Sequence, residues 1–186
     1  MDAKDRGWVS VPIPREVGER LRMIFELGGA PATLGDLSGA LGPLLATLSQ
    51  EQLCAAKASA HEVRTGERTL YMNCVMDALI LPFLTGEPAE IRSKSPLTKA
   101  IVTARIAPPA IDFTPAEAVI SFGVSRKTSG ATLEAVCPYI NAFPTPSEYA
   151  RWTAATPASV TMMLSLTDAL AMAREAAAQA KSGSKT

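Results

Sequence analysis

The sequence carries no surplus of either charge: 18 Lys and Arg are balanced by 18 Asp and Glu over 186 residues. Without a basic excess it lacks the electrostatic footprint by which proteins hold nucleic acid or anionic membrane, so a small partner is expected rather than a polymer. Long apolar runs are missing too. The longest, Val75 to Leu84, is broken by Asp77 and Pro82 and falls well short of the roughly 20 residues needed to span a bilayer. The opening MDAKDRGWVSVPIPREVGER has no apolar core followed by a small-residue cleavage site, and so does not read as a signal peptide. Cysteine is scarce. Cys54, Cys74 and Cys137 are odd in number and show no CxxC spacing, which argues against both a disulfide framework and a tetrahedral zinc site. A reducing, cytoplasmic compartment is expected, where free thiols serve as nucleophiles or soft-metal ligands. What the chain does have is 47% hydrophobic residues, enough for a real core.

From Pro14 to about His61 the pattern is helical, with Val17, Leu21, Ile24 and Phe25 recurring on one face. Gly28-Gly29 should end the first helix, Thr33 should cap a second through Leu41, and Ser49 with Gln52 forms a capping-box pattern for a third carrying Leu53 and Cys54. Three short helices in this order have a helix-turn-helix character. The candidate recognition stretch, Ser49 to His61, offers only Lys57 as a firm cation, so the element is read as packing and no nucleic acid is expected.

Arg68 to Met72 has strand character, and Asn73 is placed to cap a helix carrying Cys74, Asp77, Leu81 and Leu84, which Pro82 should kink or end. Short β-rich runs follow at 101–103, 119–122 and 132–133, separated by Pro108-Pro109, Thr114-Pro115 and Ser129-Gly130. Thr145, Pro146 and Glu148 fit the cap, first and third positions of a helix through Trp152. A strand at Ser159 to Leu164, a last helix capped by Thr167 and a frayed tail from Lys181 to Thr186 complete the reading. The expected fold is α+β: a three-helix segment over 1–66, then a small mixed sheet flanked by helices over 67–180, then a polar tail over 181–186.

Chemistry gathers at Cys74. As a first-turn residue its thiol should feel the helix dipole, which would lower its pKa, and Asp77 at i+3 should project from the same face, roughly 5–6 Å away between β-carbons. A free cysteine on an apolar helix is usually a small hydrophobe. An acidic residue inside Val75-Met76-Asp77-Ala78-Leu79-Ile80-Leu81 is costly to bury and calls for a partner or a function.

The stretch Leu70-Tyr71-Met72-Asn73-Cys74-Val75-Met76-Asp77-Ala78-Leu79, continuing to Gly86, resembles the signature of the organomercurial (alkylmercury) lyases, L-Y-x-x-C-x-x-D-x-L before an apolar P-x-L-x-G turn. Cys137-Pro138-Tyr139-Ile140-Asn141-Ala142-Phe143-Pro144, with the helix after it, resembles the family's later cysteine-bearing segment. The resemblance implies carbon–mercury cleavage, with Cys74 and Asp77 in the places of the first cysteine and the aspartate and Cys137 in that of the second cysteine. It implies a winged-helix-like N-terminal domain as well, matched only loosely here. Two features depart from the pattern: Ser93-Lys94-Ser95 offers no further cysteine, and Val136 precedes Cys137 where the family often has paired cysteines.

Mercury(II) is a very soft cation, so two thiolates are its natural ligands. A second thiolate weakens the carbon–mercury bond, and Asp77 is placed to move a proton from thiol to carbon. On this reading Cys74, Cys137 and Asp77 hold mercury as substrate and product, no cofactor is required, and the metal passes on to a reductase or to small thiols. The competing readings are a non-catalytic relative that binds mercury(II) or copper(I), and a metal-responsive regulator acting through the N-terminal helices. Cys54 is assigned to packing, His61 to the surface, Arg126-Lys127 to a solvated turn, and Tyr71, Phe83, Phe143 and Trp152 to core and pocket wall.

Overall fold

A computed structural model describes residues 3–107, 110–127 and 132–183. After a 3-10 segment at Ala3–Ser10, three helices follow: α1 (Arg15–Ile24), α2 (Leu34–Leu45) and α3 (Gln50–Leu53). Their starts are written in the local sequence. Thr33 Oγ1 accepts from the Asp36 N–H while Asp36 Oδ2 accepts from the Thr33 N–H, and Ser49 exchanges the same pair of bonds with Gln52. The ends differ from expectation. Helix α1 stops at Ile24, ahead of Gly28-Gly29, where Glu26 takes a positive φ of 54°, while α2 runs past Leu41 and keeps Pro43 in its last turn.

The chain then turns to strands: β1 (His61–Thr65), β2 (Arg68–Met72), the helix α4 (Val75–Thr85), β3 (Ala89–Lys94), β4 (Ile101–Ala107), β5 (Ala110–Thr114) and β6 (Val119–Ser125). Next come α5 (Thr132–Val136), a 3-10 turn at Cys137–Tyr139, β7 (Ala142–Phe143), α6 (Pro146–Ala155), β8 (Ser159–Leu164) and α7 (Leu166–Gly183). The α+β class stands. The strands form not one mixed sheet but two antiparallel ones, ordered β2-β1-β3-β4-β5 and β7-β6-β8.

Several local expectations are corrected by tertiary context. Residues 132–133, read as β-rich, open α5. Helix α4 does not end at Pro82 but at Gly86, whose φ of 76° makes the left-handed cap that glycine tolerates. The last helix is capped by Ser165, whose hydroxyl accepts from the Asp168 N–H at 3.1 Å, rather than by Thr167. Lys181, assigned to the frayed tail, lies in the last turn of α7, which continues to Gly183; residues 184–186, like Pro108-Pro109 and Ser129-Gly130, fall outside the described residues. His61 is not on the surface. It heads β1 on the strand's inward face, only 4% exposed, with Nδ1 3.1 Å from the Ser93 hydroxyl, and burial lowers its pKa to about 4. The imidazole is therefore neutral at physiological pH. Arg126 and Lys127 do lie exposed in a bend, as expected, with Arg126 also bonded to the Ser159 carbonyl and to Glu16.

Helix α4 is the hub of this arrangement. It packs along α7 on one side and across β1, β2 and β3 on the other, and Val75, Met76, Ala78, Leu79, Ile80, Leu81 and Pro82 are all buried. A helix apolar all round belongs in a core. Its N-terminus consequently opens inside the protein, toward β6 and the turn after α5. Among the described residues no helix is long and apolar enough to cross a membrane.

Candidate functional site

Where β2 ends, the chain bends through Asn73 and Cys74 before α4 begins. Asn73 does not cap the helix. Its Nδ2 donates to the carbonyls of Gln52 and Leu53 at 2.9 and 3.1 Å, and its N–H donates to Leu53 at 3.1 Å, pinning the approach to the helix against α3. The cap is Cys74, with φ −147° and ψ 175°. The Asp77 N–H points at the Cys74 sulfur, and Asp77 Oδ2 accepts from the Cys74 N–H at 3.1 Å. This is the reciprocal capping box with a thiol where serine or threonine ordinarily stands.

Cys137 arrives from a different part of the fold, as the first residue of the 3-10 turn that follows α5. The turn closes through the Ile140 N–H to the Cys137 carbonyl at 3.2 Å, and the Val75 N–H in the first turn of α4 donates to the Ile140 carbonyl at 3.3 Å. One backbone bond thus ties the segment bearing the second cysteine to the helix bearing the first. As a result Cys74 Sγ, Cys137 Sγ and an Asp77 carboxylate oxygen all lie within 4.8 Å of one another. Cys74 is 2% exposed, whereas Asp77 and Cys137 retain partial exposure.

The electrostatics reverse the expectation for Cys74. Its pKa is not lowered by the helix terminus but raised well above the ordinary thiol range: burial acts first, then a hydrogen bond with the Cys137 thiol and the nearby Asp77 carboxylate. The Asp77 N–H, the terminus effect anticipated from sequence, pulls the other way and loses. Asp77 keeps some accessible surface but is enclosed enough for burial to push its pKa up to about 6, against the opposing hydrogen bonds from Cys74. At neutral pH the resting site therefore holds a protonated thiol at Cys74 beside an Asp77 carboxyl that is largely ionised.

Cys54 is not on a helix. It caps the C-terminus of α3 in extended geometry and bridges to Met72. It is half-buried, and after burial itself the Asp77 charge is the next influence raising its thiol. It stands nearer the site than its sequence context suggests, yet outside the trio. Phe143 and Trp152 are buried with centroids 5.1 Å apart and Tyr149 edge-on at 5.6 Å. Tyr71 and Phe83 are only half-buried, Phe83 beneath the Arg174 guanidinium at 5.3 Å. A cavity of about 610 Å³ lined by Trp8, Gly35, Ser38 and Arg174 touches none of the three clustered residues. Sequence reasoning overlooked Ser121 and gave Asn141 no role. The signal available was the Ser121 hydroxyl interrupting the apolar residues Val119 to Phe122.

Two thiols and a carboxyl converging inside an α+β scaffold form a cluster that could hold a metal ion, and two sulfurs suit a soft one. Over residues 55–178 the sequence matches the alkylmercury lyase (MerB) family, and the chain belongs to that family. Among solved structures, the mercury-bound form of MerB2 is similar with a TM-score of 0.57 and 18% identity, covering 90% of this chain and 93% of that one. At that identity the likeness is one of fold. No curated protein matches the chain.

Proposed function

We propose that the protein cleaves carbon–mercury bonds by protonolysis, releasing a hydrocarbon and retaining mercury(II) on Cys74 and Cys137. The observation that carries the reading is the convergence of both sulfurs and the Asp77 carboxyl within 4.8 Å, in a chain of the alkylmercury lyase family. The organomercurial exchanges its labile ligand for one cysteine sulfur, and that thiol's proton leaves with the ligand. The second thiol passes its proton to the Asp77 carboxylate as its sulfur joins the mercury. Asp77 then delivers that proton to the carbon, the carbon–mercury electron pair becomes the new C–H bond, and Asp77 returns to carboxylate. Two sulfurs remain on one mercury(II).

A purely binding site for mercury(II) or copper(I) needs thiolates and no proton carrier, so the carboxyl in the cluster favours the enzyme. The three free cysteines suit a reducing compartment, the cytoplasm, in a mercury-detoxification role, with the metal leaving to a reductase or small thiols by thiol exchange. The test is stoichiometry: after reaction with phenylmercury the chain should hold one mercury(II), removable by excess small dithiol. If bound metal follows Cys54 rather than Cys74 and Cys137, the assignment fails.

Two further outcomes follow from the environments just described. Cys54→Ser should turn over phenylmercury at close to the wild-type rate in a benzene-release assay, because its sulfur lies outside the trio; a loss comparable to that of Cys74→Ser would place it in the reaction. Because the Asp77 carboxylate must accept a thiol proton, and its pKa stands at about 6, kcat/KM should fall as pH drops below about 6. A profile flat from pH 5 to 7 would remove Asp77 from the acceptor role.

A further inference from the structure

Ser121 lies on β6, fully buried at 0% exposure, and takes no part in the proton or metal steps above. Its backbone N–H donates to the Asn141 carbonyl at 2.8 Å, extending the β6–β7 ladder by one position. Beyond that point the partner chain bends into the 3-10 turn of Cys137, leaving the Tyr139 carbonyl and the Asn141 N–H without a strand to pair with. The Ser121 hydroxyl serves both: it donates to Tyr139 at 2.9 Å and accepts from the Asn141 N–H at 2.9 Å. Asn141 closes the turn from the other side, Nδ2 donating to the Pro138 carbonyl at 2.9 Å. Ile140, between these anchored residues, receives the Val75 N–H from α4. A chain of bonds therefore runs from a rigid central strand through the turn to the helix of Cys74.

We propose that Ser121, seconded by Asn141, is a positioning residue that fixes the bite between the Cys137 and Cys74 sulfurs. It acts on the thiolate pair assigned above and rests on that reading, but it is carried by a separate set of bonds. Hydrogen-bond partners behind a metal ligand typically contribute about 10–100-fold to metal affinity. Ser121→Ala removes the hydroxyl partner of two backbone groups at once, the buried Asn141 N–H and the part-buried Tyr139 carbonyl, so the turn should relax where Cys137 is held.

The test uses the full-length chain and mercury(II) in competition with a small dithiol, followed by native mass spectrometry in the presence of glutathione. The wild type should hold mercury(II) between its own two sulfurs. Ser121→Ala should bind it about 10–100-fold more weakly and carry it as a mixed complex with one glutathione, while Ser121→Thr, which keeps the hydroxyl, recovers the intrachain form. A merely structural role would lower the melting temperature without changing the coordination. Asn141→Ala removes the side-chain bond to Pro138 and leaves the Ser121 bonds, so it should shift affinity in the same direction by less, and it serves if Ser121→Ala does not fold. The equilibrium of the Cys74–Cys137 disulfide against glutathione reads the same geometry without mercury: the disulfide should be less favoured in both alanine variants. Wild-type mercury affinity, intrachain coordination and an unchanged disulfide equilibrium in a folded variant would overturn the proposal. If the wild type itself fails to hold mercury(II) on this pair, the functional reading falls, and the disulfide equilibrium still decides on the clamp.

Discussion

Cys74→Ser and Cys137→Ser should each abolish turnover of phenylmercury, with a fall on the order of 10³-fold or more, because groups that act as a unit are lost as a unit. The fold should survive both changes. Serine at position 74 is at least as good a helix cap as cysteine, and its hydroxyl can still accept the Asp77 N–H that now points at the sulfur. Cys137 is half-buried on a turn held by backbone and Ser121 bonds that do not involve its sulfur, so its replacement removes a ligand and little packing. Each variant keeps one site sulfur and should trap one organomercurial as a simple thiolate adduct, its carbon still attached, which mass spectrometry reads directly. Wild-type benzene release by either variant would contradict the two-sulfur mechanism.

Asp77→Asn separates capture from cleavage. The amide keeps an oxygen to accept the Cys74 N–H, as Oδ2 does at 3.1 Å, but it can neither take a proton from a thiol nor give one to carbon. A general acid–base step contributes roughly 10²–10⁴ in rate, so hydrocarbon release should drop by that amount while mercury(II) binding stays close to wild type. Stability should move the other way. The folded-state pKa of about 6 lies above the ordinary aspartate value of 3.8, so the protonated carboxyl favours the native state; that contribution is full below 3.8 and is lost as pH rises through about 6. At neutral pH the wild type carries a buried charge that the amide variant lacks. Asp77→Asn should therefore melt no lower than wild type at pH 7.5 and lose any advantage by pH 4. Cleavage at the wild-type rate would move the proton donor elsewhere.

The parts of the fold legible in the sequence are those decided within a few residues. The capping boxes at Thr33 and Ser49, and the cap at Thr145 whose hydroxyl accepts from the Glu148 N–H, are local bonds between residues three apart, and sequence spacing names both partners. Strands β2 and β8 were legible for the same reason. Strands β1, β5 and β7 owe their state to a neighbour's register, as when His61 pairs with both Met72 and Ser93, and nothing local announces that. His61 looked like a surface residue because a lone histidine carries no sign of which face of a strand it will occupy. At the site, the Cys74–Asp77 spacing was readable, and the resemblance supplied Cys137. What was not readable is the environment. Helix-terminus arguments predict a lowered thiol pKa, but α4 begins inside the core, so burial and the second thiol decide the sign. Ser121 escaped notice because its role exists only once β6 meets the turn carrying Cys137.

The central claim is that one chain breaks one carbon–mercury bond and keeps the metal between two sulfurs. A single-turnover experiment tests it most directly: phenylmercury is mixed with excess protein, and benzene and protein-bound mercury are counted in the same sample. One benzene should be released for each mercury bound, with the metal on Cys74 and Cys137 and no phenyl group left on the protein. Mercury retained with its phenyl group still attached, and no benzene formed, would contradict it and leave a soft-metal binder in place of a lyase.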